Sequence, residues 1–531
     1  MKAYIVEKES NSRKTELRNQ ILQLLRKNKW TVDVVQVWKN GNNNTKDTDW
    51  FLKEIDTLED DEYCLLIPDQ ICGPVQPLCE LEKLVRQSGR SMMMLAKTTG
   101  IAALKKQVFH HPVLLHWISE GMDLEKLEEI IADELYNTEE LRKQSEKPFL
   151  DFPVEMIREL GFPFFSLDVF LRSFQEAILT TLGHQARLLL KELRDRNFDV
   201  DPLMKYLTVS CHQSDLLYTM QFFYVLPSEQ MFHQKKNELS ENKTLALGMH
   251  LYYTDMIPQS RAYAERFPEE TDIIITTSDD EKKKRIEREF SGIKCNSLDV
   301  RVIQNRGRDV SSLLVGMRDI AEWKYVCYYH DKKTLQTKPG SIGVGFSYQC
   351  AENLFASTDY VKNIVHLFET EERLGMLSPP PPNHSDYYFT MGLPWGPNWN
   401  RSLELYLDLG LTVPIAAEKV PVAPLGTCFW FRGAALRDLL NRDWKYEDFP
   451  PEPNGTDGTI LHAFERIYPF CAQEAGYYPA YICSDRFAAN LRTTLLHYVR
   501  KYNQIAGSFG ICCKAEDMVK MVGERIGGGN G

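Results

Sequence analysis

The chain has 531 residues, 43% hydrophobic and 26% charged, enough for two to four soluble domains with a core each. Its 63 Lys and Arg against 74 Asp and Glu leave a net charge of −11. That balance excludes the broad basic face of a nucleic-acid binder, though not a local basic pocket, because screening confines each charge to roughly 10 Å.

The twelve cysteines show no CxxC pair or regular spacing, so a structural zinc site is not expected and reduced core thiols of a cytoplasmic protein are. The first eight residues turn charged at once, which predicts no cleavable signal peptide. No run of about 18 apolar residues occurs, so no spanning helix is expected. Residues 2–6 read as a strand, and Leu17, Ile21, Leu24 and Leu25 as a helical stripe. Residues 31–38 are a second strand, closed by the turn at Gly41 to Asn44. Residues 63–67 are a third and 91–96 a fourth, so 1–135 reads as one α/β unit with a mostly parallel sheet. Residues 136–245 begin as a charged linker and become mainly helical, with Leu179, Leu182, Leu189, Leu190 and Leu193 at helical spacing. Residues 221–226 are expected to return as a strand to the first sheet.

A second β/α series starts at 249–253 and passes through strand 272–277 and a charged helix to strand 298–304. That strand ends in Asn305-Arg306-Gly307-Arg308-Asp309, and the next, 325–329, ends in His330-Asp331-Lys332-Lys333-Thr334. Open α/β sheets bind ligands just outside strand carboxyl ends. Arg306, Arg308, Lys332 and Lys333, with Asp309 and Asp331 among them, therefore predict a rim for an anionic, hydroxyl-rich ligand such as a sugar nucleotide. No GxGxxG fingerprint or Walker-type loop is present, which speaks against a dinucleotide enzyme or an NTPase. Further on, Pro379 to Pro382 marks an extended connector, Gly392 to Trp399 an aromatic loop, 426–432 another strand, and 527–531 a flexible end.

Several of these segments together resemble the rhamnan-synthesis F family, glycosyltransferase-like proteins of bacterial cell-surface polysaccharide assembly. They are Asp272 to Thr277, Asn305 to Asp309, Tyr325 to Lys333, Gly426 to Arg432, Phe449-Pro-Pro-Glu452-Pro453 and Asp457 to Arg466. The likeness covers 246–480 well; 61–77 fits more loosely, with Pro68-Asp69-Gln70-Ile71-Cys72 where an Asn-Asp-Ser-like loop is expected. The resemblance implies inverting transfer of a deoxysugar, typically L-rhamnose from dTDP-L-rhamnose, to a lipid-linked glycan. The pattern along the chain reads as two Rossmann-like α/β units with a helical insert, then a C-terminal helix and tail (501–531). The resemblance implies that the second unit (246–500) is similar to an A-type glycosyltransferase, a single Rossmann-like sheet with an acceptor region, and that the first is degenerate.

Sugar transfer requires that the donor be held, the leaving diphosphate stabilised and the acceptor hydroxyl deprotonated. Asp255, Ser278 and Asp279 stand at strand tips suited to base and ribose; the structural alternative is Ser278 as cap of the following helix with Asp279 in its first turn. Arg306, Arg308, Lys332 and Lys333, with His330, Asp331 and Asp309, are expected at the diphosphate and donor sugar. A divalent metal (Mg or Mn) on Asp331 is the alternative source of charge. Asp457 is the expected base, with helix capping as its structural alternative, and His462 the second choice. Trp395, Trp399, Thr427, Trp430 and Arg432 are assigned to the acceptor side. The expected setting is the cytoplasm, with peripheral contact at the inner face of the cell membrane. Two readings compete: a non-catalytic glycan-binding or scaffolding subunit, and a two-lobed B-type transferase.

Overall fold

The computed structural model describes residues 1–7, 12–36, 51–68, 70–75, 78–88, 92–96, 101–106, 164–167, 185–229, 243–333, 341–385, 388–389, 395–455 and 457–508. The expected turn at Gly41 to Asn44, the linker at 136–150, Leu179, Leu182, Asp69, Thr334 and the glycine-rich end lie outside these residues. The chain is mixed α/β and divides into two compact units, Met1–Gln221 and Phe222–Gly531.

In the first unit, β1 (Lys2–Glu7) lies between β2 (Thr31–Gln36) and β3 (Tyr63–Pro68), all parallel. The short β4 (Ile71–Cys72) pairs separately with β7 (Phe165–Ser166). The main sheet is completed by β5 (Met92–Ala96) and β6 (Ile101–Lys105), giving the order β2-β1-β3-β6-β5. Only half of it is parallel, because β6 runs antiparallel to both β3 and β5. The link between β5 and β6 is too short for a crossover, so the two form a hairpin. Helix α1 (Thr15–Lys27) buries Leu17, Ile21 and Leu25, three of the four predicted stripe positions. Helices α2 (Cys79–Ser88), α3 (Gln185–Asp195), α4 (Asp201–Ser210) and α5 (Gln213–Thr219) belong to the same unit.

The second unit is built on an eight-stranded sheet. Its strands are β8 (Phe223–Leu226), β9 (Leu245–His250), β10 (Asp272–Thr277), β11 (Ser297–Val302), β12 (Tyr325–His330), β13 (Leu374–Ser378), β16 (Phe429–Arg432) and β17 (Tyr478–Ser484). A separate hairpin pairs β14 (Asn383–Ser385) with β15 (Tyr388–Phe389). The sheet order is β11-β10-β9-β12-β16-β13-β17-β8, and only β16 runs against its neighbours. The segment at 221–226 therefore joins this sheet, beside β17, and not the first one.

Strands β9 and β10 are buried along their whole length, and β12 up to its last residue. Both faces must then be covered, as continuous apolar runs in a parallel sheet require. Edge strand β11 is mostly uncovered and reads Ser-Leu-Asp-Val-Arg-Val, with Val300 its buried contact. The covering helices are α6 (Ile257–Ala264), α7 (Asp280–Glu289), α8 (Ser341–Phe355), α9 (Thr358–Thr370), α10 (Trp399–Asp408), α11 (Gly433–Asn441), α12 (Ile460–Glu474) and α13 (Asp485–Ser508).

One topological fact places the site. From β9 the chain steps outward to β10 and β11, then crosses to β12 on the other side of β9. The strand order reverses between β9 and β12, and open α/β sheets form their ligand crevice at such a reversal, outside the carboxyl ends.

Candidate functional site at the β9 and β12 tips

At the reversal, Asp331 ties the two strand tips together. One carboxylate oxygen, Oδ2, accepts the Tyr252 N–H at 2.9 Å and the Tyr253 N–H at 2.6 Å. The other oxygen has no hydrogen-bond partner among the described residues. Asp331 is only 4% exposed. Burial pushes its carboxyl up to about 6, against the pull of the two amides and of His330 and Lys282. A carboxyl so displaced at a strand tip marks a functional candidate.

His330 and His250 sit opposite each other in the β9/β12 register and are driven apart electrostatically. His330 Nε2 faces the Gly426 carbonyl at 2.8 Å and Nδ1 the Asp331 carbonyl at 3.1 Å. Only an imidazolium donates to two acceptors at once. Burial alone would lower its pKa, but Asp309 and Cys428 outweigh that and raise it to about 9. Burial and the neighbouring His330 lower His250 to about 4, leaving it neutral in a chain with the Thr276 and Ser312 hydroxyls.

This charge state yields a pH prediction. A raised histidine contributes stability in full below its ordinary value of about 6.5, and that contribution is lost as pH rises through about 9. Urea midpoints should therefore fall between these pH values in the wild type and fall less steeply in His330→Gln. Parallel curves would show that His330 is neutral throughout.

The loop after β11 reaches this place by folding back. Strands β10 and β9 separate β11 from β12, so their tips stand about 14 Å apart in the sheet. Gly307 makes the return possible: its φ is +81°, and a Cβ would strike Phe449 at 2.7 Å. Beyond it the Tyr328 hydroxyl donates to the Asp309 carbonyl at 2.6 Å. Burial would raise the Asp309 carboxyl, but His330, Thr427 and Lys332 hold it below the usual range.

The four predicted cations divide into two kinds. Arg308 forms a two-pronged ion pair with Glu452 (2.8 and 3.1 Å), and Lys333 pairs with Asp255. Arg306 donates to the Phe449 and Glu447 carbonyls at 2.5 and 3.0 Å, and Arg308 also to the Asn454 carbonyl at 3.0 Å. Arg306 and Arg308 thus clamp the segment that leads to Asp457. Lys332 forms no ion pair among the described residues. Its ammonium donates to the Gly426 carbonyl at 3.2 Å and lies 4.0 Å from the Phe346 ring centre. Burial opposes its charge, but Cys350, Cys428, Glu465 and Asp309 raise its pKa, so it stays cationic. Lys332 and His330 are the positive centre.

Glu465, assigned no role in the site from the sequence, reaches into this centre. Its Oε1 accepts the Gly426 N–H at 3.0 Å and the Thr427 hydroxyl at 3.1 Å, while Oε2 meets Arg466 at 3.3 Å. Thr427 lies beside both the Glu465 and Asp309 carboxylates. Tyr252, exposed at the β9 tip with Lys282 3.9 Å from its ring centre, was also missed. Only knowledge of which strands are neighbours would have singled out either residue.

The structure corrects several roles. Asp279, not Ser278, caps α7: its Oδ1 accepts the Lys282 N–H at 2.8 Å. Asp457 does not cap α12, whose N-cap is Thr459, with its hydroxyl 2.8 Å from His462 Nδ1. Trp430 is fully buried and donates to the Leu354 carbonyl at 2.9 Å, so it is core. Trp395 is buried too, donating to the Ala416 and Lys419 carbonyls and stacked on Phe470. Trp399 meets Trp395 edge-on and is half-buried. Because β16 is antiparallel, Arg432 pairs in register with Tyr325 at the start of β12, about 16 Å from the strand's tip. There it donates to the Phe368, Glu371 and Leu374 carbonyls and braces the opposite end of the sheet.

A divalent metal does not fit this donor set. Asp331 offers one uncommitted oxygen, with an imidazolium and an ammonium beside it. Among the described residues no three His, Cys, Asp or Glu side chains are grouped to hold a metal.

The fold and this rim define a mixed α/β protein with a cluster of charged side chains at its sheet reversal. The chain matches rhamnan synthesis protein F over residues 130–477, about two thirds of its length, and it belongs to that family. The family takes its name from rhamnan synthesis. The chain is also 28% identical over 236 residues to the uncharacterized protein WxcX of Xanthomonas campestris pv. campestris, in each of two strains. That likeness covers 43% of this chain and 31% of the relative's length. Among the described residues no helix is long and apolar enough to cross a membrane.

Proposed function

We propose that the second unit is a glycosyltransferase that moves a deoxysugar, L-rhamnose from dTDP-L-rhamnose, onto a lipid-linked glycan with inversion. The observation that carries this reading is the meeting of Asp331, His330, Lys332, Asp309 and Glu465 where the strand order reverses. The strand order, with one antiparallel member, supports an A-type arrangement. In this reading Lys332 and the His330 imidazolium stabilise the diphosphate as its charge grows. The open oxygen of Asp331 accepts a donor hydroxyl, and the exposed Tyr252 ring receives the base.

Asp457 is the base. Asn398 Nδ2 (2.9 Å) and the Gly458 N–H (2.8 Å) orient one of its oxygens, and the other has no hydrogen-bond partner among the described residues. Burial raises its pKa, but those bonds, with His462 and Arg466 nearby, hold it below the usual carboxylate range. It is therefore ionised at neutral pH and ready to accept a proton. Asp457→Asn should keep dTDP affinity within about twofold and lower transfer at least about 100-fold. Both follow from calorimetry alongside a donor-consumption assay, and near-normal turnover would remove Asp457 from the role.

One observation favours the non-catalytic reading: Arg308 and Lys333 are already neutralised by Glu452 and Asp255. A glycan-binding protein without donor affinity would support it.

A further inference from the structure

The first turn of α13 is firmly anchored. Asp485 accepts the Ser228 N–H at 3.0 Å and hydroxyl at 2.6 Å, and Arg486 pairs with Glu352 at 3.1 Å. The rest of the 24-residue helix is different. Leu496, Val499, Tyr502 and Ile505 are 50%, 54%, 57% and 48% exposed, among the largest apolar exposures of the described residues. At 100° per residue these four residues and Leu495 spread over one half of the helix, with Arg492 among them and Arg500 and Lys501 at its two edges.

Charge on the helix opposes charge on the chain. Residues 485–508 hold four Arg or Lys and a single acid, Asp485, on a chain whose net charge is −11. An uncovered apolar side with cationic borders suits an anionic lipid surface, where the helix lies in the interfacial plane. A second copy of this chain would bring the same cations to the contact, and like charges oppose that pairing.

We infer that the distal half of α13 docks the protein on the surface of an anionic membrane. The inference stands apart from the glycosyltransferase reading, since it uses none of the crevice residues, and either can fail without the other.

The test is flotation of the full chain with vesicles of phosphatidylcholine, alone or with phosphatidylglycerol added. The wild type should float only with the anionic vesicles. Val499→Asp with Tyr502→Asp should abolish flotation, and Arg492→Glu with Arg500→Glu should weaken it at least about tenfold. These positions are exposed, and an unchanged circular-dichroism melt shows that each variant is folded. Wild-type protein that stays unbound, or flotation unaffected by both variants, overturns the inference. So does a dimer in sedimentation that the apolar variant dissociates while lipid binding is absent, which assigns the surface to a second copy.

Discussion

Asp331→Asn is expected to lower donor turnover between about 10- and 100-fold while leaving the protein at least as stable as the wild type at neutral pH. The catalytic loss is that of one charge-assisted hydrogen bond to the donor. The stability result follows from the sign of the shift. A carboxyl raised from 3.8 to about 6 holds its proton more tightly when folded. Its ionisation therefore costs stability as pH climbs through that window, by at most about 3 kcal/mol. An amide carries no charge to bury, and its oxygen still accepts the Tyr252 and Tyr253 N–H groups. Denaturant midpoints at pH 4 and pH 7.5, measured beside turnover, separate the two effects. Destabilisation with unchanged turnover would make Asp331 a structural tie between the strands and nothing more.

Gly426→Ala should damage site and fold together. Gly426 has φ of +89°, where any side chain is strained, and a Cβ would run into Lys332 Nζ and lie 2.8 Å from the Phe346 ring. Its carbonyl receives His330 and Lys332, and its N–H binds Glu465. Strain and displacement together are expected to cost about 1–3 kcal/mol. Because the ammonium must move, dTDP affinity should fall at least about tenfold, more than that loss of stability explains. Calorimetry on protein still folded at 25 °C checks this, and normal affinity would show that Lys332 does not face the nucleotide.

Much of the second unit was legible in the sequence because buried parallel strands read as unbroken apolar runs. Residues 272–277 and 325–329 announced β10 and β12, and the charge behind the latter announced a strand tip. Strand neighbours were not legible. Nothing in residues 298–309 tells that β9 and β10 intervene before β12, or that Arg306 turns to the Glu447 and Phe449 carbonyls. The direction of β16 was hidden for the same reason, and with it went Trp430 and Arg432. An aromatic-rich strand looks alike whether its end points to ligand or away. Glu465 was missed because local spacing is all that a sequence shows, whereas its contacts lie 38 and 39 residues back.

The central claim is that a half-buried lysine with no ion-pair partner among the described residues, beside a charged histidine at the reversal of the sheet, receives a nucleoside diphosphate. Titration of dTDP into the wild type and into Lys332→Ala by calorimetry addresses it most directly. The account predicts saturable binding by the wild type and at least about tenfold weaker binding by the variant. No binding by the wild type, or equal affinity in both proteins, would contradict it.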